Sequence, residues 1–160
     1  MSRSWQGFFG KIPTTGDFVQ RGLPPGIRRQ FDPWLSTHLA LRKDGWPEGG
    51  MRGLVWLGDV PTLFCAVPSQ DSAHRRFPLT AVTDGSGVSF ETAEAWCDHF
   101  APGLSAVAAG DAALETFEAQ MGPEADLPRK ADSGETAIWV RGGQPRSVSP
   151  ENIDAFFSSG

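Results

Sequence analysis

The sequence predicts an α/β fold, a single-domain sandwich with a mixed, largely antiparallel central sheet covered by helices on both faces. Three observations support this fold class. Strand-like runs and helical runs alternate irregularly, several strand-like runs are apolar on both faces, and no doubly wound strand–helix–strand repeat occurs. A strand that is apolar on both faces has to be covered on both sides. With 160 residues, the chain is interpreted as one domain, 1–160, long enough to bury a substantial core.

Residues 5–19 open the fold with a strand and a polar turn. Side chains alternate between the two faces of a strand, which places Phe8 on one face and Phe9 on the other. We therefore expect a central strand rather than an edge strand. Pro13 has no N–H group to donate and ends the pairing, and the Gly16-Asp17 pair supplies a turn just beyond it.

A helix and a hairpin are predicted next. Apolar residues recur at spacings of three and four over residues 27–39, which is typical of a helix with one buried face. Pro33 interrupts this pattern, so we expect either a kink or a restart with Asp32 as N-cap. The apolar runs 54–57 and 62–67 then read as the two strands of a hairpin, because a glycine-containing turn separates them.

The second half of the chain is predicted to be mostly helical. Asp111 is interpreted as a helix N-cap, and residues 123–134 as a polar loop. The predicted elements in order are a strand at 77–83, a helix at 90–100 that Pro102-Gly103 either kinks or breaks, a helix at 112–121, a strand at 136–140, a short strand at 145–148 and a helix at 150–157.

The composition excludes several classes of protein. Fourteen Lys and Arg residues against nineteen Asp and Glu residues give a net charge of −5, which argues against nonspecific binding to nucleic acids or anionic membranes. No apolar run approaches the ~20 residues of a membrane span, and no signal peptide is recognisable, so a cytoplasmic location is expected. Cys65 and Cys97 are expected to be small buried hydrophobes, because neither has the spacing of a metal site.

Signatures of catalysis are sparse, and we expect no cofactor, no bound metal and no enzymatic activity. The sequence contains neither a phosphate-binding loop nor a nucleophile elbow. An alternative remains open: a small hydrolase or nucleotide-binding enzyme could use Asp17, Asp71 and His74 if the loops that carry them meet.

Two charged loops next to aromatic residues are the other candidates for function. The first carries Lys11, Asp17 and Arg21, and the second carries Asp71, Arg75 and Arg76. These residues either form a recognition surface, in which arginine and aromatic side chains are favoured, or form internal ion pairs such as Asp17–Arg75 or Asp71–Arg21. A weaker alternative is an anion clamp for a phosphopeptide, made by Arg75 and Arg76.

Both loops carry the motifs of a known family. The stretches 7–13 (GFFGKIP), 16–19 (GDFV), 21–24 (RGLP) and 31–35 (FDPWL) resemble the opening signature of the TagF (ImpM-like) family of type VI secretion accessory proteins. Residues 68–79, which contain Pro-Ser-x-Asp and then Arg-x-Phe-Pro-Leu, are similar to the second signature of that family. The family commonly has glycine where this chain has His74.

The resemblance implies a cytoplasmic, non-enzymatic regulator of the bacterial type VI secretion system. Members of this family are described as post-translational repressors that act together with a forkhead-associated (FHA) domain scaffold protein. Neither a nucleic-acid partner nor membrane insertion is expected, because the chain is acidic and has no apolar run of the length of a membrane span. On these grounds we expect partner contacts from the two signature loops, at Lys11, Asp17, Phe18, Arg21, Ser69, Asp71, Arg75 and Arg76.

Overall fold

A computed structural model describes residues 2–40, 42, 44–130 and 136–157 of the chain. Its strands are β1 (Ser2–Gly10), β2 (Val19–Arg21), β3 (Met51–Leu57), β4 (Val60–Val67), β5 (Leu79–Asp84), β6 (Glu124–Leu127) and β7 (Ala137–Val140). Its helices are α1 (Pro25–His38), α2 (Phe90–Ala108), α3 (Leu114–Met121) and α4 (Pro150–Phe157). Within these residues, no helix has the length and apolarity needed to cross a membrane.

The strands form one sheet in the order β2-β1-β5-β4-β3-β7, and β6 pairs with the first half of β1. Each of the pairings is antiparallel. The predicted α/β class with a largely antiparallel sheet is therefore confirmed. The prediction that the first strand is internal is also confirmed, because β1 has β5 on one side and β6 followed by β2 on the other.

Helices cover both faces of the sheet, as predicted. Phe8 points to the face covered by α2 and α3, where its ring lies 5.6 Å from that of Phe117. Phe9 points to the opposite face and belongs to a core that includes Phe31 of α1 and Ile153 of α4. The side chains of Phe8, Phe9, Phe31 and Ile153 are all buried. The alternation along β1 thus divides the interior into two cores.

Two strands lie where loops were predicted. β2 and β6 have only three and four residues, too few for a hydrophobic period to be visible. Each is a strand because its backbone pairs with β1, for example through Phe9↔Gln20 and Ser4↔Ala125. Residues 131–134 of the predicted loop lie outside the described residues. The short strand predicted at 145–148 is reduced to one bridge between Arg146 and Ile138.

Proline does not break the helices in which it occurs. α1 runs through Pro33 and α2 runs through Pro102, so the alternatives of a restart at Pro33 and of a break at Pro102 are both wrong. Both prolines lie on exposed positions. Buried side chains on either side of each proline, such as Phe31 and Leu35 in α1, keep the helix against the sheet. Packing of the apolar face therefore outweighs the backbone hydrogen bond lost at proline.

The predicted N-cap at Asp111 is also wrong. Its backbone N–H donates to Ala106 O at 2.8 Å and so completes the C-terminal turn of α2, with Gly110 in the left-handed region at φ 81°. Helix α3 begins after Ala113, which provides no side-chain cap. Helix α4 matches its prediction, because Ser149 Oγ accepts the Asn152 N–H at 3.1 Å.

The topology brings the two signature loops to the same end of the sheet. Residues 11–18 leave the end of β1, and residues 68–78 lead into β5, its antiparallel neighbour. The two chain segments approach so closely that a Cβ at Gly10 would lie 2.1 Å from Pro78 O. Gly10 has a φ of 150°, which also disfavours a side chain there. The family motif thus contains glycine where the second loop crosses the end of β1.

Candidate functional site

The two signature loops, residues 11–18 and 68–77, bind each other and form what we call the paired-loop surface. The Ser72 N–H donates to Thr15 O at 2.7 Å, and Ser69 Oγ donates to Lys11 O at 2.6 Å. Arg75 Nη2 donates to Gly16 O at 2.9 Å. Backbone and side-chain hydrogen bonds therefore join segments about sixty positions apart in the sequence into one unit.

Asp71 is the buried centre of this unit. Its Oδ1 accepts the N–H groups of Ala73 and Arg75, each at 2.9 Å. Its Oδ2 accepts from Arg75 Nε at 2.8 Å and lies 3.3 Å from Lys11 Nζ. Because the side chain is fully covered, these contacts replace the water that a carboxylate would otherwise bind.

The pKa of Asp71 reflects these contacts. Burial alone would raise the pKa of this carboxyl, but the backbone N–H groups of Arg75 and Ala73, followed by the Lys11 and Arg75 side chains, lower it to about 2. Asp71 is therefore ionised under all ordinary conditions. Neither of the ion pairs considered from the sequence, Asp17–Arg75 or Asp71–Arg21, occurs among the described residues.

These contacts favour a structural role for Asp71 over a catalytic one. A general base needs a free lone pair aimed at its substrate, and both oxygens of Asp71 already accept hydrogen bonds. The exposed His74 ring contacts Gln70 Nε2 at 3.1 Å instead of the Asp71 carboxylate. Asp17 is exposed on the first loop. Among the described residues, no group of three or more His, Cys, Asp or Glu side chains could hold a metal ion.

His74 has a left-handed backbone conformation, with φ 65°, and is the one non-glycine residue of the described chain that does. Histidine tolerates this region better than most residues, but glycine adopts it without a steric penalty. The backbone of the turn between Asp71 and Arg75 therefore favours glycine at position 74.

We expect His74→Gly to stabilise the protein by about 0.5–1 kcal/mol, because the left-handed conformation costs other residues about 1–2 kcal/mol and glycine loses more entropy on folding. Urea unfolding at pH 7 measures the difference. His74→Ala is the matched control, since alanine also pays the backbone cost. An equal gain in both variants would show that the loss of the imidazole, and not the backbone, is responsible.

Phe18 is the main apolar group of the paired-loop surface. Its side chain remains 37% exposed, although the ring stacks on Phe9 at 5.3 Å and meets the edge of Phe77 at 4.9 Å. Lys11 Nζ lies 5.0 Å from the centre of the same ring. An exposed aromatic side chain held by buried neighbours is a rigid contact group of the kind that contributes most to protein interfaces.

The residues expected to contact a partner fall into two groups. Four of them hold the loops together: Lys11, Ser69, Asp71 and Arg75. The other four face outward: Asp17, Phe18, Arg21 and Arg76. Within the described chain, Arg21 pairs with Glu118 at 3.4 Å, and the side chains of Asp17 and Arg76 form no hydrogen bond or ion pair.

Sequence reasoning missed a second polar cluster, which lies under α2. Arg52 of β3 is completely buried, and its Nη1 donates to Glu94 and to Asp98 of α2. Burial opposes the positive charge, but the hydrogen bond to Asp98 and the nearby acidic groups raise its pKa. Trp139 Nε1 also donates to Glu94, at 3.1 Å. In the sequence, the only sign of this cluster is the position of Arg52, which shortly precedes the strand predicted at 54–57. That strand is apolar on both faces.

The two cysteines meet the expectation of small buried side chains. Cys65 and Cys97 are both free thiols with no exposed surface. Burial, followed by the neighbouring Cys65, raises the pKa of Cys97. A thiol with no exposed surface is out of reach of a substrate, so both cysteines serve packing.

Comparison with known proteins places these features in a family. Residues 7–122 match the family model described as TagF N-terminal domain, type VI secretion system-associated. The structure is similar to the crystal structure of PA0076 from Pseudomonas aeruginosa PAO1, with a TM-score of 0.68 and 20% identity over 95% of this chain and 93% of that one. At this identity the similarity demonstrates a shared fold. No curated protein matches the chain.

Proposed function

The chain belongs to the TagF family of type VI secretion system-associated proteins, and from this we propose that it is a non-enzymatic regulator that represses the system by binding one of its components. The observation that carries the proposal is the family match over residues 7–122, which includes both signature loops. In the structure these loops form the paired-loop surface. We propose that this surface, acting in the cytoplasm, contacts an FHA-domain component.

The construction of the paired-loop surface supports binding rather than catalysis. Its charged interior, centred on Asp71, is satisfied by internal contacts, which makes the loops rigid without leaving a reactive group. Its exterior presents Phe18 and Arg76, which are residue types enriched in protein interfaces relative to the rest of the surface. A rigid surface loses little conformational entropy on binding, so its contacts contribute efficiently to affinity.

A secretion assay in the native host tests the regulatory role. Deleting the gene should raise the amount of type VI substrate in the culture medium, and overproducing the protein should lower it. Because the proposed action is post-translational, the cellular levels of the secretion components should stay constant in both strains. Unchanged secretion in both strains would contradict a regulatory role, and reduced secretion after deletion would identify an activator instead.

A further inference from the structure

We propose that Phe18 and the neighbouring arginines of α1 form a docking site for an acidic segment of the partner protein. A carboxylate of that segment binds Arg28 and Arg29, and an adjacent apolar side chain packs on Phe18. The inference rests on the proposed function, because it assigns the chemistry of the partner that the paired-loop surface binds. It also extends that surface onto α1, which the signature loops alone do not include.

The Arg28 guanidinium is fixed in place beside Phe18. Its Cζ lies 4.8 Å from the centre of the Phe9 ring and 5.7 Å from that of Phe18. Its Nη1 donates to Gln20 Oε1 at 3.0 Å, which leaves further N–H groups for a ligand. A guanidinium that is stacked and already oriented can bind a carboxylate through two parallel hydrogen bonds with little loss of entropy.

Unpaired positive charge is concentrated in this part of the molecule. The arginines whose described side chains form no ion pair are Arg28, Arg29, Arg76 and Arg146. Arg28 lies against Phe18, Arg29 follows it on α1, and Arg76 precedes Phe77, whose ring meets that of Phe18. The nearby carboxylates without a basic partner are Asp17 and Asp32, and Asp32 accepts a hydrogen bond from Ser36 at 3.1 Å. This region is therefore positive within a chain of net charge −5.

A shallow, open groove on α1, which shares Arg28 with the Phe18 cluster, provides an accessible surface for a segment of the partner. It has a volume of about 400 Å³ and is lined by Pro25, Arg28, Arg29, Asp32 and Pro33. Arg28 belongs both to this groove and to the Phe18 cluster, so the two are continuous. The positive groove selects an acidic side chain, and the exposed ring beside it selects an apolar one. The acidic remainder of the chain disfavours an extended nucleic acid as occupant.

Photo-crosslinking in the native host tests this chemistry. The photoreactive residue p-benzoylphenylalanine is placed at Phe18 of the full chain, and mass spectrometry identifies the partner peptide that it captures. The same residue at Trp56 is the control, because Trp56 is 46% exposed and lies at the other end of the sheet. We expect position 18, and not position 56, to capture a type VI component within a segment of net negative charge.

A second variant separates the docking chemistry from simple proximity. Arg29→Glu, at an exposed position of α1, should lower the crosslinking yield at position 18 about tenfold, whereas Arg146→Glu should leave it unchanged. A neutral or basic captured segment, a phosphorylated residue as its acidic group, or no effect of Arg29→Glu would overturn the inference.

The outcomes also distinguish this inference from the proposed function. If the tagged chain co-purifies with a type VI component that position 18 never captures, the docking site is wrong and the proposed function stands. If position 18 captures an acidic segment of a protein outside the secretion system, the docking chemistry stands and the proposed function fails.

Discussion

Replacing Arg52 by methionine should lower the free energy of unfolding by about 3 kcal/mol, the largest effect that we expect from a single substitution. Arg52 is completely buried and binds two carboxylates, those of Glu94 and Asp98. Methionine fills similar space but leaves both carboxylates without their cation. Breaking a buried pair from one side costs about 3–5 kcal/mol, and the lower end applies because the Asp98 side chain is half exposed.

Urea unfolding at pH 7 measures this loss, and Arg141→Met is the matched control. Arg141 pairs with Glu48 at 2.9 Å, but both side chains are more than half exposed, so the control should change stability by less than about 1 kcal/mol. Adding Glu94→Gln and Asp98→Asn to Arg52→Met should recover part of the loss, since the stranded charges are then removed. No recovery would mean that packing, and not electrostatics, makes Arg52 important.

Replacing Asp71 by asparagine should destabilise the paired-loop surface in a manner that depends strongly on pH. Asparagine is nearly isosteric, but it carries no charge and places an NH₂ group where one carboxylate oxygen accepts hydrogen bonds. An NH₂ group facing Lys11 Nζ and Arg75 Nε would meet donors only. We therefore expect a clearly lower urea midpoint than that of the wild type at pH 7.

The pH dependence follows from the depressed pKa of Asp71. Because its pKa is about 2 in the folded protein and 3.8 in the unfolded chain, ionised Asp71 contributes its full stabilisation above about pH 4. This contribution is lost as the pH falls through about 2, where the folded carboxyl takes up its proton. The difference between the wild type and Asp71→Asn should therefore be constant from pH 7 to pH 5 and shrink between pH 4 and pH 2.

Asp17→Asn is the control for this experiment. Asp17 lies on the adjacent loop but is exposed, and its side chain has no polar contact among the described residues. At pH 7 this variant should be as stable as the wild type, within about 0.5 kcal/mol. A difference between wild type and Asp71→Asn that stays constant down to pH 2 would contradict the assignment of the low pKa to Asp71.

The main features of the fold could be predicted because hydrophobic periodicity is strong where strands and helices are buried. The alternation of Phe8 and Phe9 on β1 correctly indicated two cores. β2 and β6 could not be found in this way, because their short segments become strands only through pairing with β1. Likewise, Pro33 and Pro102 favour breaks locally, and only the packing of the surrounding helix against the sheet decides otherwise.

The candidate site could be located from sequence but not resolved into roles. The signature motifs mark two loops, and the antiparallel neighbours β1 and β5 bring these loops together. Which charges are internal depends on distances that no spacing rule predicts, so Asp71 could not be assigned to Arg75 and Lys11 in advance. Arg28 was missed because it lies on α1, outside both loops, and gains its role only by stacking on Phe9.

The role of the paired-loop surface is tested most directly by asking whether its outward residues bind the FHA-domain component that we propose as the partner. The measurement is co-purification of that component with the tagged chain from the native host. We expect Phe18→Ala combined with Arg76→Glu to reduce recovery about tenfold or more, because an aromatic anchor and a rim charge are lost together. Trp56→Ala combined with Arg146→Glu, which removes equally exposed groups elsewhere, should recover as much as the wild type. Equal recovery with both double variants, at equal thermal stability, would contradict the claim that this surface carries the function.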